Sequence, residues 1–252
     1  MGRRLPILTF HSLDHSGSPL SVSPPRFRSL MEWLRDAGWR TLTIDQLLSG
    51  QAEGKWPPRC LLLTFDDGLE SFAKHGLPVL KECDFTATLF VVAGRVGKTN
   101  DWPGQPSWVP RWRLLDWDGL RRVASEGMEL GAHTLTHPLL TALTADEGRR
   151  EILEGKRVIE DRLGRPVRTF AYPYGARSAA LESLVATSFR AGFGTRLGFA
   201  SPDDRVSAFH RIDMYYLRDP RLFSSLGAVW MHHYLRFRRW VRELKDRQGG
   251  RG

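Results

Sequence analysis

The sequence is poor in cysteine and contains no long hydrophobic run. Its two cysteines, Cys60 and Cys83, lie beside apolar residues and form no CxxC pair, which favours buried free thiols over a disulfide bond. No segment approaches the roughly 18 apolar residues of a membrane-spanning helix. The apolar stretch 5–10 is also shorter than the core of about 7–15 residues in a signal peptide. The sequence therefore predicts a cytoplasmic protein.

Acidic side chains are scarce relative to basic ones, since 28 Asp and Glu oppose 37 Lys and Arg, a net charge of +9. Between residues 232 and 252, seven basic residues oppose Glu243 and Asp246, so this segment carries +5 of the total. The rest of the chain is only mildly basic. Because the excess lies in the tail, it does not indicate a nucleic-acid-binding face, and we expect no nucleic-acid partner.

Short apolar runs alternate with amphipathic segments along the chain. The runs are typical of strands buried on both faces; they are residues 5–10, 41–44, 61–65, 87–92, 128–132 and 169–172. Capping signals bound three helices: Ser23-Pro24 to Gly38, Asp116 to Gly127, and Thr144 with Glu147 to Gly164. This alternation predicts a parallel α/β fold, and about seven repeats favour a barrel over an open sheet.

The length of the chain predicts a single domain. Its 252 residues, 41% of them hydrophobic, are enough for one sizeable core, and single α/β barrels of about 200–250 residues are common. We predict a barrel over residues 1–221, followed by a basic amphipathic helix and tail over residues 222–252.

Apolar residues of the C-terminal segment recur at spacings of three and four, which fits one face of a helix. They are Phe223, Leu226, Trp230, Tyr234, Phe237, Val241 and Leu244. We interpret the segment as a last helix that packs on the barrel and exposes a basic face. The alternative is an amphipathic helix in peripheral contact with an anionic membrane.

Three motifs with polar residues lie at the ends of predicted strands. They are Asp66-Asp67, His133 to His137, and Tyr172 to Gly175. The carboxyl ends of barrel strands form the face where active sites are built. We therefore predict that the three motifs form one site.

The residue types in the first two motifs predict metal-assisted hydrolysis. Adjacent carboxylates repel each other unless a cation compensates them. One carboxylate with the imidazoles of His133 and His137 makes a three-ligand site for a divalent ion, with positions left for water and substrate. The second carboxylate is then free to act as a base. The same ligand set occurs in non-haem iron oxygenases, but oxygen chemistry does not need the spare aspartate.

Two further segments suggest groups that contact the substrate. Pro173 to Gly175 form a turn, in which the Tyr174 N–H either stabilises a developing oxyanion or serves only the turn. The long insertion 94–113 contains Trp102, Trp108 and Trp112 with three prolines. Its tryptophans, Trp108 above all, either stack on sugar rings or anchor the loop to the barrel.

At these residues the chain resembles the polysaccharide deacetylase family, carbohydrate esterases that share a NodB-homology domain. Residues 64–68 resemble its first motif, which implies that Asp66 is the base and Asp67 a metal ligand. Residues 133–137 resemble its second motif, with both histidines as ligands. Residues 131–175 and 21–38 are similar to one branch of the family.

The resemblance covers about residues 7–212 and implies a fold, a cofactor and a reaction. The fold is a distorted (β/α) barrel of about seven strands, similar to a TIM barrel. The cofactor is a divalent metal, first of all Zn²⁺, with Co²⁺, Ni²⁺ and Fe²⁺ as alternatives. The reaction is hydrolysis of the N-acetyl group of an amino sugar in a poly- or oligosaccharide.

Two departures from the family pattern concern the base and the acid. Many members carry an arginine in the third motif that holds the base, whereas this chain has Ala171 there, with Tyr172 beside it as a substrate-binding candidate. The late Leu-x-His motif with the acid histidine is absent. His210 is the nearest candidate for the acid, and His11, at the end of the first strand, is another residue expected to face the substrate. Arg211 is expected to orient an acidic group or bind substrate.

Two rival functions remain. One is removal of a formyl or another small acyl group from a lipid-linked sugar. The other is a barrel that binds glycan without catalysis, suggested by the missing arginine and acid histidine. Asp66 argues against the second rival, because a binding protein has no use for a base.

Overall fold

Seven parallel strands form a closed barrel in the computed structural model, which describes residues 4–249 and the side chains up to residue 244. The described residues form eight strands, of which all but the second belong to the barrel: β1 (Ile7–Phe10), β2 (Arg40–Thr41), β3 (Cys60–Phe65), β4 (Thr88–Val91), β5 (Glu129–Ala132), β6 (Thr169–Ala171), β7 (Ala191–Leu197) and β8 (Phe209–Asp213). Pairing of β1 with both β3 and β8 closes the barrel, and β2 pairs only with the start of β3. The predicted seven-stranded α/β barrel is confirmed.

Helices surround the barrel. They are α1 (Pro24–Asp36), α2 (Ile44–Ala52), α3 (Leu77–Glu82), α4 (Trp117–Ser125), α5 (Ala145–Leu163), α6 (Ala179–Ser188), α7 (Pro220–Ser224) and α8 (Val229–Gly249). Two cap predictions are confirmed: Asp116 accepts from the Gly119 N–H at 2.8 Å, and Thr144 and Glu147 form both bonds of a capping box. Ser23 stands at the predicted N-cap position of α1, but its side chain makes no capping hydrogen bond. Gly164 ends α5 with φ 64°, the left-handed conformation that glycine adopts most easily.

Two elements differ from the sequence prediction. Of the strand expected over residues 41–44, only Thr41 lies in a strand, the short β2, whereas Thr43 forms a capping box with Gln46 and starts α2 at Ile44. Strand β7 was missed because its glycines break the hydrophobic pattern. Packing requires at least one of them, since a Cβ on Gly192 would lie 2.1 Å from the Ser207 carbonyl oxygen.

Alternate residues of the strands fill the barrel interior, as expected for a packed core rather than a pore. Phe193 lies at its centre, with ring centroids 5.4 Å from Phe90 and 5.8 Å from Phe209. The other strand residues, among them Leu8, Phe65 and Leu89, pack against the helices in a second cluster.

The C-terminal segment forms two helices, α7 and α8, rather than one. Residues 225–228 interrupt it, so the apolar face predicted over Phe223–Leu244 is wrong in part. Phe223 and Leu226 are buried, but Trp230, Phe237 and Leu244 are exposed, and Met231 and Leu235 fill the core instead. The predicted boundary between residues 221 and 222 falls inside α7. Among residues 4–249, no helix has both the length and the apolar character needed to cross a membrane.

Both cysteines are free and buried, as predicted. Cys60 begins β3 and Cys83 follows α3. Burial raises the pKa of both thiols, so neither is poised as a nucleophile.

Candidate active site

A cavity of about 320 Å³ lies at the carboxyl ends of the barrel strands. All three motifs singled out in the sequence reach it. Its lining includes nine of the ten predicted site residues: His11, Asp66, Asp67, Trp108, His133, His137, Tyr172, Tyr174 and Arg211. The strands of the barrel are parallel, so their carboxyl ends lie at the same end of the barrel. Each motif follows a strand, and its residues therefore lie at that end.

Asp67, His133 and His137 form a cluster suited to a metal ion. One ligand atom from each lies within 4.8 Å of the other two, and all three residues are buried. Asp67 Oδ1 is 3.6 Å from His133 Nε2 and 3.5 Å from His137 Nε2. One carboxylate and two imidazoles on one side of a cavity leave positions for water and substrate, as in catalytic zinc sites.

Both imidazoles are prepared to act as ligands. His133 Nδ1 donates to the Ala171 carbonyl oxygen at 2.8 Å, which leaves the lone pair of Nε2 directed toward Asp67. Burial, together with the neighbouring His133, holds the pKa of His137 well below its ordinary value. His137 is therefore neutral. The residues of this cluster fit a divalent cation.

The backbone at the cluster is held in an unusual conformation. Four non-glycine residues of the site have positive φ: Asp67 (74°), Thr134 (66°), His137 (65°) and Tyr174 (57°). Such φ values are uncommon outside glycine and persist where the surrounding structure determines them. Because four such residues occur at this site, we infer that their side chains are positioned at a cost in local backbone energy.

Glu151 holds the histidine loop from helix α5. Its Oε2 accepts from the N–H groups of Leu135 at 3.0 Å and Thr136 at 2.8 Å, and its Oε1 accepts from the Thr136 hydroxyl at 2.8 Å. Within the loop, Thr134 Oγ1 accepts from the His137 N–H at 2.9 Å. The position of the two imidazoles thus depends on a carboxylate 14 residues beyond His137, which the sequence motifs did not identify.

Gly155 allows α5 to approach this loop. A Cβ at that position would lie 2.7 Å from the Thr134 carbonyl carbon and 2.9 Å from the Leu135 nitrogen. Backbone atoms cannot move aside as a flexible side chain can. Gly155 is therefore a requirement of close packing and not a helix breaker.

Asp66 forms a buried bidentate ion pair with Arg211. The distances are 2.7 Å from Nη1 to Oδ1 and 2.8 Å from Nη2 to Oδ2, and Arg211 Nε donates to the Gly194 carbonyl oxygen. Burial alone would raise the pKa of Asp66, but the Arg211 guanidinium, together with His133 and His11 nearby, outweighs burial and holds the pKa well below its ordinary range. Asp66 is thus an anion, and it lies outside the cluster of Asp67, His133 and His137.

His210 is not part of the site. It does not line the cavity; its Nδ1 lies 3.4 Å from Asp204 Oδ2, and its Nε2 lies 3.5 Å from Arg196 Nη1. Successive residues of a strand point to opposite faces, so Arg211 enters the barrel and its neighbour His210 faces outward. We therefore do not retain His210 as the acid. His11 does reach the cavity, with Nε2 3.9 Å from Asp66 Oδ2.

The tryptophans of the long insertion divide between two tasks. The Trp102 ring is buried and lies 4.1 Å from the His137 ring, centroid to centroid, so this residue anchors the loop. Trp108 lines the cavity with 57% of its surface exposed, which leaves its face free for a ligand. Tyr172 is fully buried against Phe170, with ring centroids 5.0 Å apart. The predicted contact between Tyr172 and a substrate therefore requires part of the substrate to reach the bottom of the cavity.

A sequence model of the polysaccharide deacetylase family matches residues 53–190. The chain belongs to the polysaccharide deacetylase family. The matched segment contains Asp66, Asp67 and both histidines, but ends before β7 and β8. The strands that carry Arg211 and close the barrel thus lie outside it.

Individual relatives extend the similarity over most of the chain. YxkH of Bacillus subtilis (strain 168) is 29% identical over 211 residues, 83% of this chain and 71% of that protein. The poly-beta-1,6-N-acetyl-D-glucosamine N-deacetylase of Staphylococcus aureus (strain MSSA476) is 25% identical over 219 residues, 82% of this chain and 69% of that protein.

Solved structures share the fold of this deacetylase-family chain. IcaB from Ammonifex degensii matches with a TM-score of 0.73 at 24% identity, covering 92% of this chain and 98% of that one. The Streptococcus pyogenes deacetylase PplD, solved in complex with acetate, matches with a TM-score of 0.74 at 23% identity, covering 84% and 93%.

Arg211 takes the place of the arginine that this chain lacks in the family's third motif. At Ala171 the chain lacks the arginine expected to hold the base, and β8 supplies a guanidinium to the same carboxylate. The expectation that Arg211 orients an acidic group agrees with this geometry. Arg242 of α8 was not predicted as a site residue, but it also lines the cavity and donates to the Thr195 carbonyl oxygen at 3.2 Å. Its place at the cavity differs from the solvated basic face that the sequence predicts for this helix.

Proposed function

We propose that this protein is a metal-dependent hydrolase that removes N-acetyl groups from amino sugars of a poly- or oligosaccharide. The observation that carries the proposal is the arrangement of two adjacent aspartates: Asp67 belongs to the buried ligand cluster, while Arg211 holds Asp66 apart from it as an anion. The name of the Staphylococcus aureus relative supports a β-1,6-linked N-acetylglucosamine polymer as the substrate class.

Asp67, His133 and His137 would hold the ion. When bound, a divalent ion lowers the pKa of coordinated water and polarises an acyl oxygen. Asp66 takes a proton from the attacking water while the water oxygen bonds to the acyl carbon. Arg211 keeps Asp66 oriented, and the Tyr174 N–H donates to the developing oxyanion. His11 gives a proton to the nitrogen as the C–N bond breaks, so acetate and an amine leave.

Of the two rivals, the non-catalytic barrel is disfavoured by the ion pair. A carboxylate that is buried, ionised and directed into the cavity beside a metal cluster has no role in glycan binding alone. Formyl and acetyl groups place the same demands on these residues, so the product, formate or acetate, must decide between them.

The decisive experiment measures acetate release from N-acetylglucosamine oligomers with β-1,6 linkages, with metal removed by a chelator and then restored. We expect release only with metal. Asp66→Asn should abolish turnover and retain the metal, whereas His137→Ala should lose both. Asp66→Asn with the parent rate would refute the role of Asp66, and formate as the only product would refute the N-acetyl substrate.

We also propose peripheral contact with an anionic membrane through α8. Trp230, Phe237 and Trp240 are 47%, 58% and 56% exposed along this helix, and Arg236 is exposed beside them. Aromatic and basic side chains together favour the interface of anionic lipids. Flotation with anionic vesicles should be lost in Trp230→Ser/Trp240→Ser, and equal flotation of both proteins would reject this contact.

A further inference from the structure

A second cavity, of about 350 Å³, lies at the opposite end of the barrel from the catalytic residues. It opens where β1 and β3 begin, beneath the segment that joins α7 to α8. Its lining consists of Arg4, Pro6, Trp39, Cys60, Phe199, Leu226, Gly227, Ala228, Val229 and His232, none of which lines the catalytic cavity. The proposed hydrolysis therefore gives this cavity no role.

The walls of this second cavity are apolar. Trp39, Cys60 and Leu226 are buried, and Phe199 packs against the core beside them. Burial raises the pKa of Cys60, so its thiol stays protonated and behaves as a small apolar group. Small-molecule pockets of about 300–1,000 Å³ typically combine such walls with a few polar groups at one side.

The polar side chains of this cavity are basic ones, and Arg4 carries a permanent positive charge. Arg4 and His232 line it, and both also line an adjoining pocket that contains Arg236 and Arg239. In the part of the chain whose side chains are described, no carboxylate lies within ion-pair distance of Arg4, His232 or Arg236. Asp204 in the adjoining pocket is already paired with His210. The pKa of His232 is lowered by burial and then by Arg4 and Arg236, which reflects the uncompensated positive charge.

We propose that the second cavity binds one hydrocarbon chain of an anionic amphiphile. The chain lies against Trp39, Phe199 and Leu226. Its carboxylate or phosphate head group pairs with Arg4, which lines both pockets, and with Arg236 of the adjoining pocket, as an anion does where cations lack acidic partners. The charge excludes a cationic amphiphile and disfavours a second copy of this chain, which carries the same net charge of +9.

Cys60 provides a direct reporter, because its thiol lines the cavity. In a Cys83→Ser background, Cys60 is the one remaining cysteine. We expect dodecanoate and dodecyl phosphate, below their micelle concentrations, to bind with 1:1 stoichiometry in calorimetry and to slow alkylation of Cys60 at least tenfold. Dodecyltrimethylammonium should do neither. Equal protection by the cation, or none by either anion, would overturn the proposal.

Matched variants distinguish binding inside the cavity from binding elsewhere on the protein and from loss of folding. Ala228→Phe places a ring at the mouth and should weaken dodecanoate binding at least tenfold, whereas Ser224→Phe, at an exposed position of α7, should not. Arg4→Gln/Arg236→Gln should weaken binding while the cavity stays open. Thermal unfolding of each variant shows whether it folds. Unchanged affinity in both the folded Ala228→Phe and the double variant would overturn the proposal.

A third arm identifies the source of the amphiphile. If anionic phospholipid vesicles slow alkylation of Cys60 as dodecanoate does, the ligand class is a membrane lipid. If only the free amphiphiles protect the thiol, the ligand class is a free fatty acid or an alkyl phosphate. Acetate release plays no part in these measurements, so their outcome is independent of the proposed deacetylation.

Discussion

Arg211 grips both carboxylate oxygens of Asp66, although 144 residues separate them in the sequence. Arg211 extends from β8 and Asp66 follows β3, with β1 paired between these two strands. Closure of the barrel therefore creates the pair. It leaves Asp66 ionised, and so able to accept a proton, and fixes its orientation beside the ligand cluster, as the proposed role of a general base requires.

Arg211→Lys should lower kcat by about tenfold or more and leave the metal content unchanged. Lysine keeps the charge but cannot form two parallel bonds to one carboxylate, so Asp66 loses its orientation. Steady-state kinetics and metal analysis measure the two effects. Arg168→Lys, at a partly exposed ion pair with Glu129 and Asp45, is the control. Parent-like kcat in Arg211→Lys would show that the bidentate geometry is dispensable.

Glu151→Gln should weaken metal binding by about 10–100-fold, the usual effect of losing a group that orients metal ligands. An amide has one acceptor oxygen and cannot replace the three bonds that Glu151 makes to the histidine loop. Competition with a chromogenic chelator measures the affinity for Zn²⁺. Glu154→Gln, on the same helix, should bind Zn²⁺ like the parent. Equal affinities for all three proteins would contradict the role given to Glu151.

Gly155→Ala should destabilise the protein by about 1–3 kcal/mol, the usual cost of overpacking. Alanine favours a helix by about 1 kcal/mol over glycine, but the added Cβ meets the backbone at Thr134 and Leu135. Gly148→Ala in the same helix meets only the flexible Leu181 side chain at 3.2 Å and should cost less. Chemical denaturation compares the free energies of unfolding, and the reverse order would be incompatible with the close approach described above.

Asp14→Asn should destabilise the protein more at pH 6 than at pH 3. Burial raises the pKa of Asp14, but hydrogen bonds from Ser12, Ser16 and Ser21 outweigh it and lower the pKa. A lowered pKa stabilises the fold above the unfolded-state value of about 3.9, and this stabilisation is lost as the pH falls through the folded value.

The effect at pH 6 should be about 1 kcal/mol, since the bonds are charge-assisted but partly exposed. Urea unfolding of both proteins at the two pH values measures it. A difference between parent and variant that is independent of pH, or larger in acid, would contradict the lowered pKa.

Much of the fold and the ligand cluster followed from local patterns. Thr144 with Glu147, Asp116 and Gly164 act within one turn of the helix ends they define, so their effect needs no distant partner. Asp66, Asp67 and His133 directly follow strands, and parallel strands bring their carboxyl ends to one face. Strand β7 was missed because its glycines serve contacts made elsewhere in the barrel.

The sequence by itself determined the chemistry available to this protein: two adjacent carboxylates and two imidazoles at the ends of buried strands. Tertiary structure alone decided which long-range partners control them. Side chains alternate along β8, so Arg211 points into the barrel and His210 points outward. The interruption at residues 225–228 changes which apolar residues of α8 face the core. Glu151 contacts the histidine loop because α5 packs beside it. Each depends on pairing and packing between segments far apart in the chain, and local residue patterns carry no information about such contacts.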